Sequence, residues 1–232
     1  TGKELWKVKR EGEKSNWSTP YIWENKLRTE IITPGSRKNR AYDLDGKLLY
    51  QFGGNSSITI ATPFSKFGLL YITSGYVGDR RKPMFAIRPG AKGDISLKSD
   101  EDSNEHVAWC QRRAGPYNPS TIIYGDLMYV LLDRGLAACY EAKTGKRVYG
   151  PERIVTRGGA FTSSPWAYNG KIFFLDESGA TYVLQAGREF KLLRANRLNP
   201  KEDMCMATPA VVGGKLLIRT DARVYCFSKS KK

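Results

Sequence analysis

His106 is the single histidine of the 232-residue chain, so any nucleophile working through an imidazole would depend on it alone. It sits beside an acidic, polar stretch from Asp94 to Glu105, the setting of a solvated loop residue. The four cysteines, Cys110, Cys139, Cys205 and Cys226, form no C-x-x-C pair and no zinc spacing, and they allow three disulfide pairings. Asp43-Leu44-Asp45-Gly46 begins like a calcium loop but lacks the later ligands and the closing glutamate, so it reads as a turn. No phosphate-binding glycine loop, G-x-S-x-G elbow or H-E-x-x-H pair occurs. Asp133, Asp176 and Asp221 recur at one position in successive segments, as turn residues do.

The remaining chemistry is cationic. Lys and Arg number 38 against 23 Asp and Glu, a net charge of +15. Arg37-Lys38, Arg80-Arg81-Lys82, Arg112-Arg113, Arg134 and Arg157 supply positive charge that would dock an acidic partner or polyanion. Tyr76 lies close to Arg80 and Arg81 in the chain, an aromatic and arginine pairing common where partners bind.

Two ladders of repeated segments must position these groups. The first centres on proline: STPYIWEN, ATPFSKFG, NPSTIIYGD, SSPWAYNG and ATPAVVGG, with Pro20, Pro63, Pro119, Pro165 and Pro209 spaced by 43, 56, 46 and 44 residues. A turn residue follows each proline (Asn25, Gly68, Gly125, Gly170, Gly214), and then an apolar strand. The second ladder is a glycine turn at Gly2, Gly46, Gly145 and Gly187, with a fainter copy at Gly93. Trp6, Tyr50, Tyr149 and Phe190 follow these turns, and Trp6, Tyr50 and Tyr149 read as packing between blades. Each unit therefore reads strand, tight turn, strand, polar loop, strand, glycine turn, strand. Four short strands per about 44 residues is the period of a propeller blade, which is stable only when stacked on its neighbours.

The expected fold is all-β, a β-propeller of four-stranded antiparallel blades in one domain over 1–232. The blades fall at about 12–52, 58–112, 117–153, 160–195 and 206–227, with 1–9 as an outer strand. The last unit lacks its outer strand, and Glu4–Lys9 offers one, which would close a five-bladed ring. The favoured alternative is a piece of a seven- or eight-bladed propeller, since the chain opens at Thr1 without a starting Met and propellers of this kind are generally longer. Loops after the second and fourth strands of a blade share one face. That face receives Arg37, Lys38, Arg80, Arg81, Lys82, Arg112, Arg113, Arg134 and Arg157, and the acidic Asp100, Glu101, Asp102 and Glu105 are expected on the opposite one. Blade two carries the extra residues, at Ser74–Pro83 and Asp94–Val107, where specificity is expected.

The glycine ladder resembles the tryptophan-docking motif of pyrroloquinoline-quinone-type (PQQ-like) propeller repeats, A-x-D-x-x-T-G-K-x-x-W. The matching copies are Ala41-Tyr42-Asp43-Leu44-Asp45-Gly46-Lys47, Glu141-Ala142-Lys143-Thr144-Gly145-Lys146 and Thr1-Gly2-Lys3-Glu4-Leu5-Trp6. Relatives of that family include the BamB-type assembly lipoprotein and quinoprotein alcohol dehydrogenases. The resemblance implies the propeller fold and a bacterial periplasmic or cell-envelope location. The dehydrogenases carry adjacent cysteines and a calcium site beside the quinone; neither has a counterpart here. The leading expectation is thus a non-catalytic binding or scaffold propeller, with no cofactor, docking a protein or other acidic macromolecule on its basic loop face. The alternative is a fragment or relative of a quinoprotein oxidoreductase binding pyrroloquinoline quinone and calcium. Nucleic acid is a weaker reading of the charge, because no basic and aromatic RNA module is visible. No apolar run is long enough for a membrane helix.

Overall fold

Each repeat folds into one small antiparallel sheet. The computed structural model describes residues 2–155, 159–198 and 203–228. The chain divides into two compact units, residues 1–117 with 143–145, and residues 118–142 with 146–232. Among the described residues there is no helix, and so none long and apolar enough to cross a membrane.

In the first unit, β1 (Tyr21–Glu24), β2 (Thr29–Thr33), β3 (Asn39–Tyr42) and β4 (Leu48–Phe52) pair in chain order. The second sheet is β5 (Phe64–Lys66), β6 (Leu69–Thr73), β7 (Met84–Ile87) and β9 (Val107–Gln111). Between its third and fourth strands the chain leaves the sheet. There β8 (Gly93–Asp94) pairs parallel with β4, Gly93 opposite Tyr50 and Asp94 opposite Gln51. The glycine turn expected at Gly93 is therefore a strand on the neighbouring blade.

The second unit holds β10 (Ile122–Tyr124), β11 (Leu127–Leu132), β12 (Leu136–Glu141) and β13 (Arg147–Arg153). It continues with β14 (Trp166–Tyr168), β15 (Lys171–Leu175), β16 (Ala180–Gln185) and β17 (Leu192–Arg197). A three-stranded sheet of β18 (Ala210–Val212), β19 (Lys215–Arg219) and β20 (Val224–Ser228) ends it.

The local causes are those of the repeat. Pro20, Pro63, Pro165 and Pro209 each stand immediately before the first strand of a blade, where a missing N–H leaves no ladder bond unmade. The turns at Phe67-Gly68, Asn169-Gly170 and Gly213-Gly214 have positive φ at both residues, the geometry that matches strand twist in a two-residue hairpin. Middle strands such as β7 and β11 are buried almost throughout, whereas the outer β17 is exposed throughout. That pattern belongs to a sheet covered on both faces, not to a half-solvated one.

Neighbouring blades share cores. Trp23, Ile32 and Phe52 pack with Leu70, Phe85 and Ile87, and Leu131 and Cys139 pack with Phe174 and Tyr182. The repeat period is itself hydrogen-bonded. The Ser120 amide donates to Ser164 Oγ and the Ser164 amide to Thr208 Oγ1, both at 2.9 Å, and Tyr21 OH meets Ser65 Oγ, each pair 44 residues apart. These are stacked four-stranded blades, the architecture of a β-propeller.

Residues 2–20 form no strand, so the outer strand expected over Glu4–Lys9 is not made. The Trp6 indole instead covers the bare turn at Gly46 and donates Nε1–H to Leu44 O at 2.8 Å. The docking contact of the motif is made again at Gly145, where a Cβ would lie 2.5 Å from the Trp109 ring. Trp109 was hidden in the sequence because the 94–107 insertion separates it from any turn glycine. Tyr149 packs edge-on against Phe190, ring centroids 5.8 Å apart. All four cysteines are free.

Candidate functional site

The two insertions of blade two converge at one end of the first unit. The 74–83 loop is held from below by serines: Ser56 Oγ donates to Asp79 Oδ2 at 2.8 Å, the Ser57 amide donates to the same oxygen, and the Tyr76 amide donates to Ser56 Oγ. Burial raises the Asp79 pKa, but these hydrogen bonds and the charge of Lys82 outweigh it, so the carboxyl titrates below its ordinary range. Behind the loop, backbones touch directly. A Cβ on Gly75 would lie 2.1 Å from Gly115 O, and one on Gly115 would lie 2.3 Å from Ser74 O. Any side chain at either position would push the loop off the sheet. Arg80 and Arg81 follow this anchored Asp79, and Arg112 and Arg113 follow the end of β9 close by.

The 94–107 insertion supplies the opposite wall. Pairing of β8 with β4 carries the chain along the outer strand of blade one toward Gly53. Asp94 Oδ2 accepts from Lys38 Nζ and from Gln51 Nε2, both at 3.3 Å, and Ser96 Oγ accepts the Gly53 amide at 3.0 Å. The Asp94 carboxyl is lowered, first by the Ser96 hydroxyl and also by Lys38, against the effect of burial. The strap is then tied down by Arg112, whose Nε donates to Asp102 Oδ1 at 2.9 Å and whose Nη2 donates to Lys98 O and Glu101 O. This corrects the expected separation of charge at Asp102, which meets Arg112 instead of facing away from it. The physical reason is the parallel β8 pairing, which the repeat pattern does not contain. Farther along, Arg88 holds Asn104 O and Glu105 O.

Together these segments enclose an open cavity of about 450 Å³. Its rim is Arg80, Arg81, Arg112 and Arg113; its floor includes Phe85, Leu97 and Cys110; and Gly53, Gly54, Pro83, Ser96 and Ser99 complete it. Arg80, Arg81 and Arg113 are exposed and have no ion pair among the described residues. No histidine or carboxylate lines the cavity. Burial pushes the Cys110 thiol up to about 12 against the pull of Arg112, so it stays protonated and unreactive at neutral pH. The arrangement can hold an anion. No cluster of three or more metal-ligating side chains is present among the described residues.

Four of the nine residues expected at the site are thus gathered: Arg80, Arg81, Arg112 and Arg113. Lys38 is occupied by Asp94, and the exposed Arg37 lies behind Gly53, its carbonyl 3.6 Å from where a Cβ there would sit. Tyr76 does not join the arginines; it packs edge-on against Tyr117, centroids 5.3 Å apart, as an anchor of the loop. Arg134 belongs to the second unit, exposed at the turn after β11 with φ of 62°. Arg157 lies outside the described residues. His106 is half-buried, its amide bound to Asn104 Oδ1 and its carbonyl to the Arg88 amide, so it is more ordered than a solvated loop residue. Phe85, Leu97 and Cys110 carry no sequence signal beyond apolarity. Their role follows only from the strap.

No protein-family model matches the chain, and no curated protein matches its sequence. Solved structures do resemble it. BamB from Moraxella catarrhalis is 11% identical with a TM-score of 0.68, over 97% of this chain and 63% of that one. The computationally designed Ika8 protein is 10% identical with a TM-score of 0.50, over 92% of this chain and 70% of that one. A europium-containing methanol dehydrogenase is 12% identical with a TM-score of 0.44, over 58% and 24%. The chain spans 63% of the length of the BamB structure. At these identities the likeness to BamB establishes the β-propeller fold.

Proposed function

We propose that this BamB-like propeller is a non-catalytic binding or scaffold module that docks a protein or other acidic macromolecule on the arginine end of blade two. One observation carries the reading: three exposed arginines, without ion pairs among the described residues, border one cavity. A cleft lined by one sign of charge concentrates and orients opposite charge, which gives fast encounter and selectivity. The bacterial periplasm or cell envelope is the compartment suggested by resemblance in repeat and fold.

The test is fluorescence anisotropy of a labelled Asp/Glu-rich peptide at 0.15 M salt. Arg80→Ala/Arg81→Ala should weaken its dissociation constant at least tenfold while leaving the melting temperature within a few degrees of the parent. Unchanged affinity in a folded double variant would remove the basic cleft as the docking site.

A further inference from the structure

Carboxylates of an acidic peptide are spread along a chain, whereas the unpaired cations of this site are crowded into one small cavity. Arg80, Arg81 and Arg113 border the same space of about 450 Å³, a size suited to a small molecule or one side chain. A single carboxylate has two oxygens and satisfies one guanidinium fork. A phosphate monoester carries close to two negative charges at neutral pH and three terminal oxygens, enough for several forks at once. Arg112 is not available in the same way, because Asp102 and two main-chain carbonyls hold it as the buckle of the strap. The floor adds a second requirement. Leu97 is half-buried and the largely buried Phe85 reaches the cavity wall, so the lining includes an apolar part that inorganic phosphate would leave unused.

We propose that the cavity at the end of blade two binds an organic phosphate monoester, its phosphate held by Arg80, Arg81 and Arg113 and its apolar substituent lying over Phe85 and Leu97. The inference deepens the docking reading by naming the chemical group received. The phosphate could be free in solution or displayed on a macromolecule, and the chemistry of capture is the same.

Isothermal titration at constant ionic strength, with phenyl phosphate, phenylacetate and inorganic phosphate as probes, tests it on the full chain. Phenyl phosphate should bind at least tenfold more tightly than either other probe. Arg80→Ala/Arg81→Ala and, separately, Arg113→Ala should each weaken it at least tenfold. The single variant carries the test if the double variant misfolds. A peptide bearing phosphotyrosine separates the sources. Affinity at least tenfold above phenyl phosphate assigns a displayed phosphate, and equal affinity assigns a free small molecule; both support the site. Phenyl phosphate binding no better than phenylacetate, or binding indifferent to all three arginines, overturns it. If acidic-peptide capture still depended on Arg80 and Arg81 in that case, the docking face would stand and only the phosphate assignment would fall.

Discussion

Substituting Gly145 by alanine tests the contact between a glycine turn of the repeat and a tryptophan ring within the first unit. Two costs arise at that position. Gly145 has φ of +70°, and a left-handed backbone costs a residue with a Cβ about 1–2 kcal/mol. The new methyl would also sit 2.5 Å from the Trp109 ring, which is buried and cannot swing into solvent. Forcing a methyl into a packed contact costs about 1–3 kcal/mol more. Gly125 is the control, because its φ of +64° is nearly the same and nothing lies within 4 Å of its Cβ position. It should show the backbone cost alone. For a chain of this size each kcal/mol lowers the melting temperature by about 2–4 °C. Gly125→Ala should therefore lose roughly 2–8 °C, and Gly145→Ala a further 2–12 °C, by calorimetry or Trp fluorescence. In a Trp109→Ala background the extra loss should vanish, leaving only the backbone part. Equal melting temperatures for the two glycine variants, or an extra loss that persists without the indole, would refute a stabilising contact between this turn and the ring.

Glu30 is fully buried and holds Arg28 Nε at 2.9 Å, with Asn25 on the same oxygen; Glu30→Ala should cost about 3 kcal/mol in urea unfolding, and a loss below 1 would show the pair to be dispensable. Asp79 and Asp94 titrate below their usual value of 3.8 when folded, so they stabilise the fold above about pH 4, and that contribution disappears as pH falls through the lowered values. Asp79→Asn should flatten the acid limb of the stability profile below about pH 4, and a limb as steep as the parent's would contradict the serine-anchored loop. Pyrroloquinoline quinone with calcium should leave the melting temperature unchanged. A bound ligand at a hundred times its dissociation constant adds about 2.7 kcal/mol, so a rise of several degrees would reverse the non-catalytic reading.

Repeat spacing made the blades readable before any fold was seen. Period-two strands, two-residue turns and prolines at strand starts are local devices, and each blade contains its own set; Pro63, Phe67-Gly68 and Leu69–Thr73 mark the start of blade two without reference to anything distant. The arginine pairs were equally visible, because charge is a property of composition. The course of the 94–107 insertion was not legible. Nothing in Gly93-Asp94 announces a parallel partner in Leu48–Phe52, since a two-residue pairing leaves no periodic trace. From that one pairing follow the Lys38–Asp94 contact, the Arg112 buckle, the apolar floor and the cavity itself. Local chemistry decides which residues turn and which extend, so the primary structure suffices for blades and charge. Which cations share a cavity depends on distant segments meeting in space, as Lys38 and Asp94 do from 56 residues apart, and only the packed chain settles that.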